Sequence, residues 1–143
     1  MASACTRSSA RAVCSSTIST AVRSGRKTSA CGCRCASPAL HNGLLYVIAD
    51  NGMLNVFDAA TGTAQYVQQR LPKPYNFKAS PLVANDHVYL ATEEGDVVVV
   101  KAGPTFEVAA TNTLTDQSFI ASPIAVGDDL YLRSRTHLFR IGR

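Results

Sequence analysis

Three cysteines at alternate positions are the first residues of this chain that could do chemistry. Cys31, Cys33 and Cys35 are each separated by one residue, and all five cysteines of the 143-residue chain lie in its first 35 positions. Thiolates bind soft metals such as Cu(I) and zinc. Structural zinc, however, is usually held by four ligands in paired Cys-x₂₋₄-Cys spacing, and no second pair follows. We interpret these cysteines as part of a flexible tail and predict no metal site.

Three carboxylates form a second candidate site. Glu93, Glu94 and Asp96 surround a glycine, and such a cluster could hold Ca²⁺ or share a proton. It lies between two apolar runs, and Asp50-Asn51-Gly52 lies at the equivalent place of an earlier segment. A hairpin turn is expected between two apolar strands. We therefore interpret the three carboxylates as a solvated turn.

The histidines show no arrangement that is typical of catalysis. His41, His87 and His137 lie at different distances from the repeated serine described below, so they predict no symmetric ring of ligands. No Ser/His/Asp arrangement, Walker loop or Gly-x-Gly-x-x-Gly motif is present in the sequence. We predict no catalytic, cofactor-binding or metal-binding residue, and a protein that is not an enzyme.

Four arginines cluster near the end of the chain, at Arg133, Arg135, Arg140 and Arg143. Such a cluster could bind an anion or a nucleic acid. Few aromatic residues are interleaved with them for base stacking. The interpretation that we favour is a solvated surface, with no nucleic-acid partner.

Composition divides the chain into two pieces. Residues 1–35 hold six basic residues and no acidic one, whereas residues 36–143 hold eight basic and ten acidic residues. The first piece is rich in Ser, Arg, Thr and Ala and lacks the apolar core of a secretory signal. We predict a disordered or non-native leader, with an organelle transit peptide as the alternative. No 18-residue apolar run occurs, so no transmembrane segment is expected.

The second piece is a repeat. Ala-Ser-Pro occurs at Ala36, Ala79 and Ala121, which gives a period of 42 to 43 residues. In each copy a tyrosine follows the serine by nine positions; the pairs are Ser37 and Tyr46, Ser80 and Tyr89, and Ser122 and Tyr131. Periods of this length indicate stacked supersecondary units. We predict three units, at about 36–78, 79–120 and 121–143.

Each unit is predicted to be a sheet of consecutive hairpins. Val, Leu, Tyr and Phe dominate the runs, and turn residues such as Asn42-Gly43 interrupt them. The predicted strands are Pro38–His41, Leu44–Ala49, Met53–Asp58 and Gln65–Arg70 in the first unit, and Leu82–Ala84, Val88–Thr92, Val97–Lys101 and Phe106–Thr111 in the second. The third unit ends after its third strand, at Ile141.

The apolar pattern predicts how the units pack. Leu44–Ile48 and Val97–Val100 are continuous apolar runs, which in strands indicate burial on both faces. Antiparallel sheets that are covered on both faces and repeated around an axis are the blades of a β-propeller. We expect Tyr89 to pack between two blades. A β-sandwich is the alternative.

Specific residues support this fold class. Asp58, Ala59, Thr61 and Gly62 form an Asp-Ala-x-Thr-Gly turn, and Tyr66 stands four residues after the glycine, where a tryptophan is usual. With the segment "ASPLVANDHVYLATEEGDVVVV", this turn resembles the pyrroloquinoline-quinone-like (PQQ-like) β-propeller repeat family, and the last unit resembles a final blade. The resemblance implies an all-β partial propeller with two complete four-stranded blades and part of a third.

The same resemblance suggests what the protein does. It implies a C-terminal fragment of a longer bacterial repeat protein in the periplasm or cell envelope, although no signal peptide is visible. Our leading hypothesis is a non-catalytic scaffold that binds a protein partner, or the missing blades, through exposed strand edges, with self-association as a further outcome.

Two alternatives remain open. One is a fragment of a quinone-dependent alcohol dehydrogenase, the only case in which the cofactor PQQ is expected. Sites in those enzymes use adjacent cysteines, a calcium and a catalytic aspartate, and no residue after Cys35 matches the cysteine pair. The other is a truncated product with no function of its own.

Overall fold

The computed structural model describes residues 36–142, which form β-strands and the turns and loops between them. Within that range there is no α-helix, and so no helix long and apolar enough to cross a membrane. The predictions for the leader with Cys31, Cys33 and Cys35, and the one for Arg143, lie outside the described residues.

Eleven strands follow one another along residues 36–142 and form three antiparallel sheets of four, four and three strands. Blade one contains β1 Ala39–His41, β2 Leu44–Ile48, β3 Met53–Asp58 and β4 Ala64–Arg70. Blade two contains β5 Leu82–Ala84, β6 His87–Ala91, β7 Asp96–Lys101 and β8 Val108–Thr113. Blade three contains β9 Ile124–Val126, β10 Asp129–Arg133 and β11 Leu138–Ile141. The predicted all-β partial propeller, with two complete blades and part of a third, is confirmed.

Turn chemistry sets the strand ends. Asn42 and Gly43 both have positive φ, 48° and 75°, which is the geometry of a two-residue hairpin turn between β1 and β2. At the end of β3, Asp58 Oδ1 accepts hydrogen bonds from the backbone N–H of Ala60 and from the N–H and hydroxyl of Thr61. These bonds lower the pKa of Asp58, the backbone bond from Thr61 first. They explain why the motif needs an aspartate and a threonine three positions apart.

One strand is shifted by two residues from its prediction, whereas the other strands of blades one and two agree with theirs to within one residue at each end. The sequence pattern predicts Phe106–Thr111, whereas β8 runs from Val108 to Thr113. Phe106 precedes the strand and packs edge-on against Tyr66 of blade one, with the ring centres 5.9 Å apart. Contact between blades, rather than strand propensity, therefore decides where this side chain goes.

The main core lies between blades one and two. Each blade contributes alternate side chains from its two middle strands, and paired residues of antiparallel strands share a face. The buried strand residues of this core are Tyr46, Ile48, Leu54, Val56, Val88, Leu90, Val98 and Val100. Val98 and Val100 of β7 belong to this core, whereas Val97 belongs to a second buried cluster on the other side of the sheet. Burial on both faces of β7 is therefore confirmed.

That second cluster joins blades two and three. It consists of the buried residues Ala79, Ala91, Val97, Phe119 and Leu132. Tyr89 packs against it, as predicted, but remains partly exposed. The fully buried tyrosine of the repeat is Tyr46, in blade one.

The repeated serine has a structural role that its spacing alone does not reveal. The backbone N–H of Ser37 donates to the hydroxyl of Ser80 at 3.0 Å, and the N–H of Ser80 donates to the hydroxyl of Ser122 at 2.9 Å. Each bond connects one blade to the next. The register of the three blades is thus fixed by the same side chain that marks the sequence period.

Candidate functional site

A buried polar cluster lies where the link between blades one and two crosses blade two. One carboxylate oxygen of Asp96 accepts hydrogen bonds from Tyr75 Oη at 2.8 Å and Lys73 Nζ at 3.0 Å, and the other accepts one from Thr113 Oγ1 at 2.6 Å. Asp96 is only 3% exposed. The prediction of a solvated turn is therefore wrong for this residue, because its carboxylate anchors the link between blades.

The electrostatics of the cluster follow from these bonds. The hydrogen bond from Thr113 lowers the pKa of Asp96, and those from Tyr75 and Lys73 add to the effect against the cost of burial. Burial raises the pKa of Tyr75, and its bond to the aspartate adds to the rise. Both oxygens of Asp96 are engaged, so the arrangement stabilises an ionised carboxylate and holds the fold together.

Sequence reasoning identified Asp96 but not its three partners. Lys73 and Tyr75 belong to the segment Leu71–Phe77, in which two prolines exclude an ordinary strand. Its signal is the alternation of Tyr75, Asn76 and Phe77, in which the two aromatic residues are buried in the core between blades one and two. That alternation could have identified a packed segment.

The other two carboxylates of the turn have different environments. Glu94 is exposed and accepts hydrogen bonds from the backbone and side-chain N–H groups of Asn76, while the N–H of Glu93 donates to the Asn76 carbonyl. The β6–β7 turn thus binds the link between blades one and two through hydrogen bonds to Asn76.

The three histidines lie at three separate turns. His41 Nε2 is 3.1 Å from Asp86 Oδ1, a contact between blades one and two. His87 Nδ1 contacts the carbonyl of Asn85, and His137 Nδ1 contacts the hydroxyl of Thr136. The structure does not bring the histidines together.

The residues that are present do not fit a quinone site of the expected kind. No cysteine occurs after Cys35, and within residues 36–142 no three His, Cys, Asp or Glu side chains are grouped as metal ligands. Asp96, the most buried carboxylate here, is fully engaged by its three partners. No reaction step is therefore assigned to a quinone.

Blade three has a different kind of surface. β3 pairs with β4 and β7 pairs with β8, but within the described residues β11 pairs with β10 alone. Large apolar side chains are exposed on this blade: Ile124 by 59%, Val126 by 60%, Leu138 by 69% and Ile141 by 48%. An unpaired strand edge next to exposed apolar residues is a surface that favours association.

The face of blade three that points away from blade two is called the outer face here. It is the face opposite Leu132, which packs towards blade two. By strand register, its side chains are Ile124, Val126, Asp129, Tyr131, Arg133, Leu138 and Arg140. Arg140 donates from Nε and Nη2 to Asp129 Oδ2 at 2.9 and 2.8 Å, whereas Arg133 has no ion pair within residues 36–142. Two of the four clustered arginines thus share one sheet face.

Comparison with solved structures supports the propeller architecture. The chain is similar to BamB from Moraxella catarrhalis, with 18% identity and a TM-score of 0.61 over 76% of this chain and 34% of that one. It is also similar to the quinohemoprotein alcohol dehydrogenase from Comamonas testosteroni, with 14% identity and a TM-score of 0.58 over 69% of this chain and 17% of that one. The quinohemoprotein alcohol dehydrogenase ADHIIG from Pseudomonas putida HK5 shows 17% identity and a TM-score of 0.56 over 69% and 16%.

These similarities show the fold. The chain spans about a third of the length of BamB and about a sixth of the length of the two dehydrogenases. No protein family matches the sequence, and no curated protein matches it.

Proposed function

We propose that this chain is a non-catalytic set of propeller blades that binds another protein through blade three. The observation that carries the proposal is the edge of β11 that has no partner strand within residues 36–142, beside exposed Leu138 and Ile141. Blades one and two cover the corresponding edge with a fourth strand of their own. Strand addition to such an edge is a common mode of protein recognition.

A scaffold role agrees with the chemistry of the described residues. The buried carboxylate of Asp96 accepts three hydrogen bonds that stabilise its ionised form and anchors a link between blades, so it is unavailable to a substrate. The histidines are each occupied at separate turns. These arrangements support binding rather than catalysis as the activity of the chain.

The proposal includes the context of the chain. The share of BamB that it spans, 34%, supports a fragment of a longer propeller protein. The resemblance of the repeat supports a bacterial parent protein outside the cytoplasm. Fractionation of cells that express the parent gene, followed by detection with an antibody against blade three, tests this location.

Site-specific photo-crosslinking tests the binding function. A photoreactive phenylalanine analogue replaces Leu138, and in a matched control it replaces Val67, an exposed residue of β4. We expect a discrete adduct with another protein at Leu138 and none at Val67. Equal crosslinking at both positions, or no adduct at Leu138, contradicts the proposal.

A second candidate function is part of a quinone-dependent alcohol dehydrogenase, which the dehydrogenase neighbours favour. It predicts that the chain, mixed with PQQ and Ca²⁺, binds the quinone with a change in the quinone absorbance. It also predicts adjacent cysteines encoded upstream. If the chain binds no quinone and no adjacent cysteines are encoded upstream, the scaffold function is favoured over the dehydrogenase. A non-cooperative thermal transition would instead favour a truncated product with no function of its own.

A further inference from the structure

One edge of β11 has no partner strand among the residues that the structure describes, and two residues direct their backbone groups to that edge. The N–H of Ser134 donates to the carbonyl of His137 across the β10–β11 turn. Paired residues of antiparallel strands alternate between hydrogen-bonded and non-hydrogen-bonded pairs. Counting along β11, Phe139 and Ile141 face β10, so the N–H and C=O groups of Leu138 and Arg140 point to the place of a fourth strand.

The same positions are covered in blade two. Arg140 is equivalent to Val99, because Tyr131 pairs with Arg140 in blade three as Tyr89 pairs with Val99 in blade two. Two residues earlier in the strand, Leu138 is equivalent to Val97. Val97 pairs with Asn112 of β8 at that edge. A fourth strand on blade three would therefore pair with Leu138 and Arg140 as β8 pairs with Val97 and Val99.

The side chains on the outer face differ from those of the other blades. Arg133 takes the place of Ile48 and Ala91, which lie two residues after the tyrosine and are buried. Arg140 takes the place of Val56 and Val99, which are also buried. The occupant of this face must therefore accommodate Arg133, which has no ion pair within residues 36–142, and the Arg140–Asp129 ion pair beside the apolar Leu138.

Charge along the body of the chain reinforces this difference. Residues 36–120 hold four basic and eight acidic residues, whereas residues 121–143, the span of blade three, hold four basic and two acidic residues, Asp128 and Asp129. Blade three therefore has a net charge of +2, whereas residues 36–120 have a net charge of −4. A positive patch steers and selects negatively charged partners.

We propose that the β11 edge binds an extended segment of a partner protein in which acidic and apolar side chains alternate. This inference rests on the proposed scaffold function and specifies the partner of the same surface. The segment lies antiparallel to β11 and becomes the fourth strand of blade three. Its backbone pairs with that of Leu138 and Arg140.

The two sets of side chains on such a segment have different contacts. Those opposite Leu138 and Arg140 share the outer face, because residues directly paired across an antiparallel sheet point to the same side. Acidic groups there lie near Arg140 and Arg133, and the latter lacks an ion pair within the described residues. The intervening apolar side chains cover Phe139 and Ile141, and Ile141 is 48% exposed.

Fluorescence anisotropy with labelled peptides tests the inference on the full chain. The probe is a peptide of about eight residues, the length of an ordinary strand, that alternates glutamate and valine. A peptide that alternates lysine and valine serves as the charge control. A glutamate–valine peptide that is N-methylated at every other residue serves as the backbone control, because its pairing edge has no donors.

We expect the glutamate–valine peptide to bind, with an affinity that falls as salt is raised. Both control peptides should bind at least about tenfold more weakly, since each loses either charge complementarity or the strand hydrogen bonds. Equal binding of the lysine peptide overturns the acidic partner. Equal binding of the N-methylated peptide overturns strand addition, and failure of every peptide to bind overturns the inference as a whole.

A matched pair of variants locates the site. Arg133→Glu, on the outer face, should weaken binding of the glutamate–valine peptide about tenfold through lost attraction and new repulsion. Arg135→Glu makes the same change in net charge in the β10–β11 turn and should weaken it less than about twofold. Both side chains are exposed, so both variants should fold. Equal effects of the two variants contradict the assignment to this face.

Two results separate this inference from the scaffold function. A protein adduct at Leu138 together with no peptide binding leaves the scaffold function in place and overturns the acidic strand. Sedimentation equilibrium supplies the other result. A dimer that disappears in Leu138→Glu but persists in Val67→Glu would show that a second copy occupies the edge, which also overturns the inference.

Discussion

Replacing the repeated tyrosine with alanine, one blade at a time, measures how tightly each sheet face is covered. Tyr46, Tyr89 and Tyr131 occupy equivalent positions in the three blades, nine residues after the repeated serine. Tyr46 is 0% exposed in the core between blades one and two. Tyr89 packs against the second cluster and is partly exposed, and Tyr131 lies on the outer face of blade three.

The expected losses of stability follow from these environments. A buried aromatic side chain removes about 150–250 Å² from water, and its truncation to alanine typically costs about 3–5 kcal/mol. We therefore expect about 4 kcal/mol for Tyr46→Ala and, since Tyr89 is only partly buried, about 2 kcal/mol for Tyr89→Ala. Tyr131→Ala should cost about 1 kcal/mol or less, as for other surface positions.

Equilibrium unfolding in urea provides the assay. Where m, the slope of the unfolding free energy against urea concentration, is the same in the three variants, the shift of the urea midpoint reports the change in stability. The order Tyr46, Tyr89, Tyr131 from largest to smallest loss is the expected result. Equal losses in all three variants, or the largest loss at Tyr131, would refute the packing of the blades as described.

Three further predictions concern single residues. Asp96→Asn should cost about 2 kcal/mol at neutral pH. Because the folded pKa of Asp96 is lowered, its contribution to the free energy of unfolding is complete above about pH 4 and is lost as the pH falls through the folded value. The difference in stability between wild type and variant, measured by urea titration, should therefore shrink in acid. A difference that stays constant with pH would contradict this. Burial raises the pKa of Tyr66 to about 12, and its hydroxyl is buried without a partner among the described residues. Tyr66→Phe should therefore raise stability by about 1 kcal/mol by calorimetry, and a clear loss would reveal a missed hydrogen bond. Gly95→Ala should cost about 3 kcal/mol or more, since φ is +89° and a Cβ would lie 2.6 Å from the Leu114 carbonyl oxygen. Gly43→Ala, where the added Cβ meets open space, should cost about 1 kcal/mol. Similar shifts in melting temperature for the two variants would exclude the clash at Gly95.

The repeat made most of the fold predictable from the sequence. Ser37, Ser80 and Ser122 mark a period that local turn chemistry supports, as at Asn42-Gly43. β3 and β5 run over the predicted residues, Met53–Asp58 and Leu82–Ala84. Period and turns are local properties of the chain, so they can be read without knowledge of the tertiary structure.

Contacts between blades were harder to predict. Phe106 leaves its expected strand to pack on Tyr66, and Lys73, Tyr75 and Thr113 converge on Asp96 from distant parts of the chain. Such contacts depend on how two sheets lie against each other, which the spacing within one unit does not specify. The arginines on the outer face were recognised as a cluster, but their place on one sheet face follows only from the strand register.

The central claim is that the sheets are propeller blades stacked face to face through their apolar middle strands. Nuclear Overhauser effects between methyl groups test it most directly. The account predicts effects that connect Ile48, Leu54 or Val56 of blade one with Val88, Leu90, Val98 or Val100 of blade two. Methyl effects that stay within each sheet, with none between the two sets, would contradict it.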